Sequence, residues 1–215
     1  MPLTLVIGNK NYSSWSLRPW LFLRHFEIDF TELRIPLDLP ETSDRIREHH
    51  AAAKVPVLKH GPVVIWDSLA ILEYVQEAFG LSGLPEELRV RGVCRAVCAE
   101  MHSGFAELRR SMPMNCRRQI PGFVVPALAQ ADVQRVTQVW EECRERFGGQ
   151  GPWLFGEFSM ADAMYAPVVS RFRTYGVSLG PTCEAYVSTL LGHPAFCEWQ
   201  QAAEQEVEVL DAEEV

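Results

Sequence analysis

The sequence lacks the features of a secreted, disulfide-stabilised or membrane-spanning protein. None of its 6 cysteines forms a CxxC pair, which is more typical of free thiols in a reducing cytosol than of a disulfide framework. The N-terminus lacks the basic start and the longer apolar stretch of a signal peptide. No apolar run approaches the ~20 residues needed to span a bilayer. We therefore expect a cytoplasmic protein with no membrane partner.

Positive charge is also scarce, since the formal net charge is −8 at pH 7. Nucleic-acid-binding proteins carry a basic patch and anionic membranes attract basic segments, so this charge argues against both partners. No P-loop, Rossmann glycine signature or Ser/His/Asp motif is present. The composition, 47% hydrophobic and 22% charged, is that of a globular protein, and 215 residues suffice for one large domain or two modest ones.

A metal site is not expected either. Cys94, Cys98 and His102 are spaced four residues apart and share one face of a predicted helix. Three ligands on successive turns span too great a distance along the axis for one tetrahedral ion, and no fourth ligand is evident. We interpret these residues as a seam that faces the core.

The first 80 residues alternate short apolar runs with helical patterns. Apolar runs predict strands over residues 3–7, 31–35, 55–58 and 63–66. Helical spacing predicts a helix over residues 16–26 with Pro19 in its first turn, a short one within 41–50, and one capped by Asp67-Ser68 and closed by Gly80. The predicted order is βαβαββα. The segment 80–85 contains two Gly and one Pro and is the predicted interdomain linker, which gives a first domain over residues 1–80.

The rest of the chain, residues 86–215, reads as a second, all-helical domain. Helices are predicted over residues 86–111, 128–147, from 159 onward, 181–191 and 194–206, with a proline-rich loop after the first. The last twelve residues hold six acids and no base, which predicts a solvated tail. The fold class is therefore α/β followed by all-α.

Three features of the first domain point to chemistry, although each also has a plain structural explanation. A cis Val55–Pro56 bond would offer the Val55 backbone to an extended peptide, but on spacing alone a trans proline in an edge strand is favoured. Asp67-Ser68 at a helix N-terminus would hold a carboxylate and an ammonium group, or serve as an N-cap only. Hydroxyls in residues 12–16 would donate to a thiolate, or simply cap the first helix.

The order of these motifs resembles the glutathione transferase family. SSWSLR, KVPVL, DSLAILEY and the capping box SMAD follow one another over nearly the whole chain. SSWSLR is most similar to the SSCSWR-type motif of the zeta class, which includes maleylacetoacetate isomerases. The resemblance implies a thioredoxin-like glutathione-binding domain, an all-helical domain that forms the pocket for a second substrate, and glutathione as co-substrate.

Carried over by position, the resemblance assigns most of the glutathione contacts. It implies that Val55 pairs its backbone with the cysteinyl part of glutathione and that Pro56 is cis. Asp67 and Ser68 would hold the γ-glutamyl head group, and Lys54 would lie near the glycine carboxylate.

The residue that activates the thiol is left open between two serines. The zeta-type pattern favours Ser13 as the donor to the sulfur, whereas counting back from Arg18, as in other serine-type classes, favours Ser14. Trp15, a further glutathione-site residue, replaces the small Cys of the zeta motif and crowds the mouth of the site. This departure weakens a zeta-specific isomerase interpretation.

The expected function is conjugation of the glutathione thiolate to a small electrophile, as in detoxification. The alternatives are a cis-trans isomerase of the maleylacetoacetate type and a non-catalytic interaction protein with the same fold. The resemblance also implies a homodimer. Arginines around the proline-rich loop and after the capping box would suit an anionic electrophile, but a solvated surface is favoured: Arg109, Arg110, Arg117, Arg118, Arg171 and Arg173.

Overall fold

The computed structural model of the protein describes residues 1–149 and 151–214. Gln150 and Val215, both in the range predicted for the second domain, lie outside the described residues. The elements of the first part are β1 (Leu3–Ile7), α1 (Ser14–His25), β2 (Thr31–Arg34), α2 (Thr42–Arg47), β3 (Val57–His60), β4 (Val63–Trp66) and α3 (Ser68–Ala78). The second part contains α4 (Leu88–Ser103), α5 (Ala106–Ser111), α6 (Ala127–Phe147), α7 (Met160–Tyr175), α8 (Pro181–Leu191), α9 (Pro194–Glu204) and the short 3₁₀ helix η1 (Asp211–Glu213).

The predicted βαβαββα order is confirmed, and its strands form one mixed sheet in the order β2-β1-β3-β4. β1 is parallel to β2 and antiparallel to β3, which is antiparallel to β4. Alternate side chains of β1 face opposite sides of the sheet. Leu5 and Ile7 join the main core, whereas Val6 packs with Val57 and Ile46 on the other face. The sheet is therefore covered on both sides.

The second part is built around α7, which packs against α1, α4 and α8. The predicted capping box at the start of α7 is present: the Asp162 carboxylate accepts hydrogen bonds from Ser159 N at 2.8 Å and from Leu154 N at 3.1 Å. One buried cluster joins Trp20 of α1 to Trp199 of α9. The main core thus runs through both parts of the chain. No helix in the described ranges is long and apolar enough to cross a membrane.

Helix α1 begins two residues earlier than predicted, so that Ser13 is its N-cap and Ser14 its first residue. The prediction that Pro19 lies in the first turn was wrong, because Pro19 now falls in the second turn. A proline there removes only one helical N–H, and the helix is held by its buried face against α7 and α3. The earlier start matters for the site, because it brings both serines to the N-terminus of α1.

The predicted helix over residues 86–111 is in fact two helices, α4 and α5. Gly104 ends α4, and Phe105 adopts a left-handed conformation with φ of 61°. The carboxylate of Asp132, on α6, then accepts hydrogen bonds from Glu107 N at 3.1 Å and Leu108 N at 3.0 Å. The cap of α5 therefore comes from a distant helix, which local periodicity does not reveal.

The third strand is also shifted from the predicted range 55–58 to Val57–His60. Pro56 has no N–H to donate to a ladder, so pairing starts with Val57, which lies opposite both Val6 and Trp66. Residues 54–56 consequently form an approach to the strand and not part of it.

The prediction of a solvated acidic tail was wrong for the residues that follow α9. The Glu206 carboxylate accepts hydrogen bonds from Lys10 N at 2.8 Å and Asn11 N at 3.0 Å, and its side chain is only 7% exposed. Arg34 pairs with both Glu206 and Glu208, at 3.3 and 2.9 Å. The acids are held because the loop after β1 presents free backbone N–H groups to them.

Candidate functional site

The residues predicted to bind glutathione line one cleft of about 750 Å³. The predicted residues that it brings together are Trp15, Lys54, Val55, Pro56, Asp67 and Ser68. They come from the start of α1, from the approach to β3 and from the start of α3. The cleft is closed on one side by His102 of α4, so both parts of the chain contribute to its wall.

The approach to β3 forms one edge of the cleft. The Val55–Pro56 peptide bond is cis, as the resemblance implied and in contrast to the trans proline favoured by spacing alone. Lys54 is exposed, Val55 is half-buried and Pro56 is buried. A basic side chain thus lies at the open end of this edge, and the backbone of Val55 lies deeper in the cleft.

The N-terminus of α3 forms the opposite edge. Asp67 is its N-cap, with φ of 79°, and its Oδ1 accepts hydrogen bonds from Leu69 N at 2.9 Å and Ala70 N at 3.3 Å. Its Oδ2 lies 3.2 Å from His102 Nε2. Ser68 is buried, and its hydroxyl accepts a hydrogen bond from Arg18 Nη1 at 3.3 Å. An anionic acid and the positive end of a helix dipole thus lie side by side, which suits an amino-acid head group.

Trp15 lines both this cleft and a second one. Two guanidinium groups contact its ring, that of Arg18 at 4.3 Å and that of Arg109 at 4.7 Å from the ring centroid. The edge of the ring also meets His102, with ring centroids 5.4 Å apart. These two cation–π contacts help to hold the indole in place. The crowding expected from Trp15 is therefore present where the two clefts adjoin.

The second, smaller cleft has a volume of about 270 Å³ and contains both candidate serines. The Ser13 hydroxyl donates to Ser16 Oγ at 2.7 Å, and Ser16 Oγ also accepts a hydrogen bond from Gly8 N at 3.1 Å. By contrast, the Ser14 hydroxyl has no hydrogen-bond partner among the described residues, although Ser14 is only 7% exposed. Of the two hydroxyl groups, that of Ser14 is the one available to a ligand.

Three charged residues of this small cleft were not predicted as site residues: Arg109, Arg171 and Glu213. Both arginines were expected on a solvated surface, which is wrong, because Arg171 is only 5% exposed and Arg109 is half-buried. The expectation holds for Arg110, whose side chain is 75% exposed. Sequence reasoning missed Glu213 because it read the C-terminal acids as one solvated group. His102 was singled out, but only as a possible metal ligand.

The positive charges of the arginines around the serines are only partly balanced by nearby negative charges. Burial lowers the pKa of Arg18 and Arg109 below the usual value, and burial together with the charge of Arg109 lowers the pKa of Arg171 to about 10. A guanidinium group stays protonated in proteins, so all three side chains are positively charged. The Nε atoms of Arg18 and Arg109 are buried without a partner among the described residues. The site therefore favours a negative charge at the N-terminus of α1.

The described residues contain no group of three or more His, Cys, Asp or Glu side chains placed to hold a metal ion. Cys94 and Cys98 are fully buried in the core. A hydrogen bond with Cys94, together with burial, raises the pKa of the Cys98 thiol. These two residues form the predicted buried seam, whereas His102 leaves it to reach Asp67.

Sequence comparisons agree with this geometry. Residues 12–78 match the family described as "Glutathione S-transferase, N-terminal domain", and residues 126–202 match "Glutathione S-transferase, C-terminal domain". The chain is 30% identical over 141 residues to glutathione S-transferase L2, chloroplastic, of Arabidopsis thaliana, a match that covers 65% of this chain and 44% of that protein. It is 26% identical to a probable maleylacetoacetate isomerase of Caenorhabditis elegans, with 87% of each chain covered.

Solved structures share the fold at low sequence identity. A glutathione transferase homolog from Burkholderia GL BGR1, solved with bound glutathione, superposes with a TM-score of 0.73 at 20% identity, covering 96% of this chain and 100% of that one. A bacterial maleyl pyruvate isomerase, described as a glutathione S-transferase in zeta class, gives a TM-score of 0.74 at 20% identity with the same coverage.

Proposed function

The chain belongs to the glutathione S-transferase family, and we propose that it transfers the glutathione thiolate to a small electrophile. The observation that carries this proposal is that the two clefts adjoin and share lining residues. Six residues suited to hold glutathione line the larger cleft, and an unpaired serine hydroxyl lies in the smaller one, with Trp15 and Val55 shared between them. A thiol bound along the larger cleft can therefore reach the hydroxyl.

In the proposed complex, glutathione lies along the larger cleft from Asp67 to Lys54. The ammonium group of the γ-glutamyl residue pairs with the Asp67 carboxylate. The carboxylate of the same residue lies at the N-terminus of α3, beside Ser68. The cysteinyl backbone pairs with that of Val55 beside Pro56, and Lys54 approaches the glycine carboxylate. Trp15 then flanks the cysteinyl part and directs its sulfur toward α1.

We further propose Ser14 as the donor to the sulfur. A free thiol has a pKa of about 8.5 and is mostly protonated at neutral pH, and each unit of depression corresponds to about 1.4 kcal/mol of thiolate stabilisation. The Ser14 hydroxyl, the N-terminus of α1 and the positive charges of Arg109 and Arg171 all favour the thiolate. Ser13 is the weaker candidate because its hydroxyl already donates to Ser16.

Exchange of each serine tests this assignment. Ser14→Ala should lower kcat/KM by about 100-fold, as loss of one donor to a developing or fixed anion does, while the Kd for glutathione changes by less than about threefold. Ser13→Ala is the matched control, and it should cost about 1 kcal/mol of unfolding free energy with a much smaller loss of activity. A larger loss of activity in Ser13→Ala than in Ser14→Ala would contradict the assignment. Equal losses of activity and of glutathione affinity in Ser14→Ala would also contradict it.

Isomerisation is the second candidate function. Relatives include proteins named maleylacetoacetate isomerase in Caenorhabditis elegans and Rattus norvegicus, each 26% identical. The paired arginines beside the serine cleft also suit carboxylate-bearing substrates. Turnover of a cis-dienedione with no net consumption of glutathione would favour this function over conjugation.

Several broader properties accompany the proposed function. We propose two domains, over residues 1–80 and 86–215, a cytoplasmic location and a role in detoxification. We also propose a homodimer. The homodimer is proposed because the family resemblance implies it.

A further inference from the structure

The small cleft beside Ser14 contains a carboxylate from the chain's own C-terminal segment, defined as residues 205–214. Glu213, in η1, lines this cleft together with Arg109 and Arg171. It is far in sequence from every other residue of the cleft. The proposed electrophile would occupy the same space, so the position of Glu213 bears directly on what can bind.

The backbone on both sides of Glu213 is anchored. Leu210 is only 7% exposed, and the Glu214 carboxylate accepts hydrogen bonds from Tyr12 Oη at 2.6 Å and Asn115 Nδ2 at 2.8 Å. Arg118 Nη1 lies 3.2 Å from the same carboxylate. These contacts hold the segment over the loop after β1, which places Glu213 beside the cleft.

The Glu213 carboxylate itself is held only loosely. Within residues 1–149 and 151–214 its oxygens take part in no hydrogen bond and no ion pair. Burial raises the pKa of Glu213 above the usual value, and the charge of Arg171 opposes that shift. The carboxylate is thus close enough to Arg171 to respond to its charge, yet it lies beyond 4 Å from it. Its charge offsets part of the positive charge of the arginines, and it does not fill the cleft.

The opposing arginines have hydrogen-bonding capacity that no described residue uses. Arg171 donates from Nε to Met112 O at 2.8 Å and from Nη1 to Pro167 O at 3.3 Å, and no bond of its Nη2 occurs among the described residues. Arg109 donates from Nη2 to the carbonyl oxygens of Met101 and His102, while its Nε is buried and unpaired among the described residues. A buried guanidinium with free N–H groups is a strong recognition element for a carboxylate.

We propose that Glu213 is a displaceable counter-ion and that the second substrate carries a carboxylate, which takes its place beside Arg171 and Arg109. Glu213 is then a specificity-determining residue, because its charge opposes the entry of an anionic electrophile and is irrelevant to an uncharged one. This inference rests on the proposed transferase function and adds the chemical class of the electrophile.

Two electrophiles with the same reacting carbon and leaving group, one anionic and one uncharged, test the inference: 4-chloro-3-nitrobenzoate and its methyl ester. In both reactions the glutathione thiolate attacks the carbon that bears chlorine, a C–S bond forms, the C–Cl bond breaks and chloride leaves with the electron pair. The readout is the ratio of kcat/KM for the benzoate to kcat/KM for the ester. This ratio cancels any general effect of a variant on glutathione binding or on thiol activation.

Glu213→Gln should raise that ratio about tenfold, because it removes a like charge from the position that the benzoate carboxylate takes. Glu204→Gln is the matched control, since it removes one acidic charge from an exposed side chain near the end of α9. The control should leave both rate constants unchanged. A ratio in Glu213→Gln within about twofold of that in the wild type would overturn the inference.

Arg109→Gln provides the reciprocal measurement, with the exposed neighbour Arg110→Gln as its control. The ratio should fall about tenfold in Arg109→Gln and stay constant in Arg110→Gln. Turnover of the ester by the wild type, with ratios that do not respond to either Glu213 or Arg109, would sink the inference and leave the transferase function standing. Absence of both ester turnover and glutathione binding would instead overturn the function and the inference together.

Discussion

At the scale of single residues, the Asp67 carboxylate has several roles at once. It caps α3 through Leu69 N and Ala70 N, and it lies 3.2 Å from His102 Nε2. In the proposed complex it also pairs with the ammonium group of glutathione. The cap needs only an acceptor oxygen, whereas the ammonium group needs a negative charge, so the two roles can be separated by substitution.

Asp67→Asn should therefore weaken glutathione binding while it preserves the fold. Asparagine caps helices as well as aspartate does and tolerates the φ of 79° found at this position. We expect the KM for glutathione to rise about tenfold with little change in kcat, because the lost charge acts in substrate binding. Steady-state kinetics and thermal unfolding measure the two effects.

The exposed Asp44→Asn, which removes the same charge from α2, is the control for this substitution. An unchanged KM in Asp67→Asn would contradict the placement of the γ-glutamyl group at the start of α3.

The residues of the larger cleft could be predicted because each belongs to a short local motif. Asp67-Ser68 is typical of a helix N-terminus, and Pro56 marks the point where strand pairing starts. Arg109, Arg171 and Glu213 carry no such local signal. They reach the cleft because α5, α7 and the C-terminal segment fold over the start of α1, and a sequence pattern contains no direct record of that packing.

At the scale of elements, α7 depends on a carboxylate in an unusual position. Asp162 is fully buried and accepts hydrogen bonds from Ser159 N, Ser159 Oγ and Leu154 N. Burial raises the pKa of Asp162 from 3.8 to about 6 in spite of these bonds. Because the folded state holds the proton more tightly than the unfolded chain, the stabilisation that comes from this group decreases as the pH rises from about 4 to 6.

The variant Asp162→Asn isolates this contribution, since its side chain does not titrate. The free energy of unfolding of the wild type, minus that of Asp162→Asn, should fall by up to about 3 kcal/mol between pH 4 and pH 7. Urea unfolding at a series of pH values measures the difference. The exposed Asp29→Asn is the control, and its difference from the wild type should not vary in this way. A difference that rises with pH would show that the hydrogen bonds outweigh burial.

The elements also show where prediction from sequence succeeds and where it fails. The ranges predicted for β1, β4 and α8 agree with the structure, because their apolar patterns are clear and their ends are marked by Gly, Asp or Pro. Residues 86–111, predicted as one helix, form two helices, and the second of them is capped by Asp132 of α6. Local patterns define elements well when their ends are capped locally.

At the scale of the whole molecule, the C-terminal segment returns to the start of α1. The C-terminal segment lies over the loop after β1, where Arg117 Nη2 donates to Glu208 O at 2.9 Å and to Tyr12 Oη at 2.7 Å. The six acids among the last twelve residues predicted only a solvated tail. The fold instead gathers a small number of arginines at the site, so the local charge there is opposite in sign to the charge of the whole chain.

The central claim is that this site binds glutathione as a thiolate, and an ultraviolet titration of the thiolate tests it most directly. We expect a saturable thiolate absorbance in the protein–glutathione complex, with a pKa at least about 2 below that of free glutathione. The same titration of Ser14→Ala should shift that pKa back toward the free value. Absence of any thiolate signal at saturating glutathione, or a pKa equal to that of the free thiol, would contradict the account.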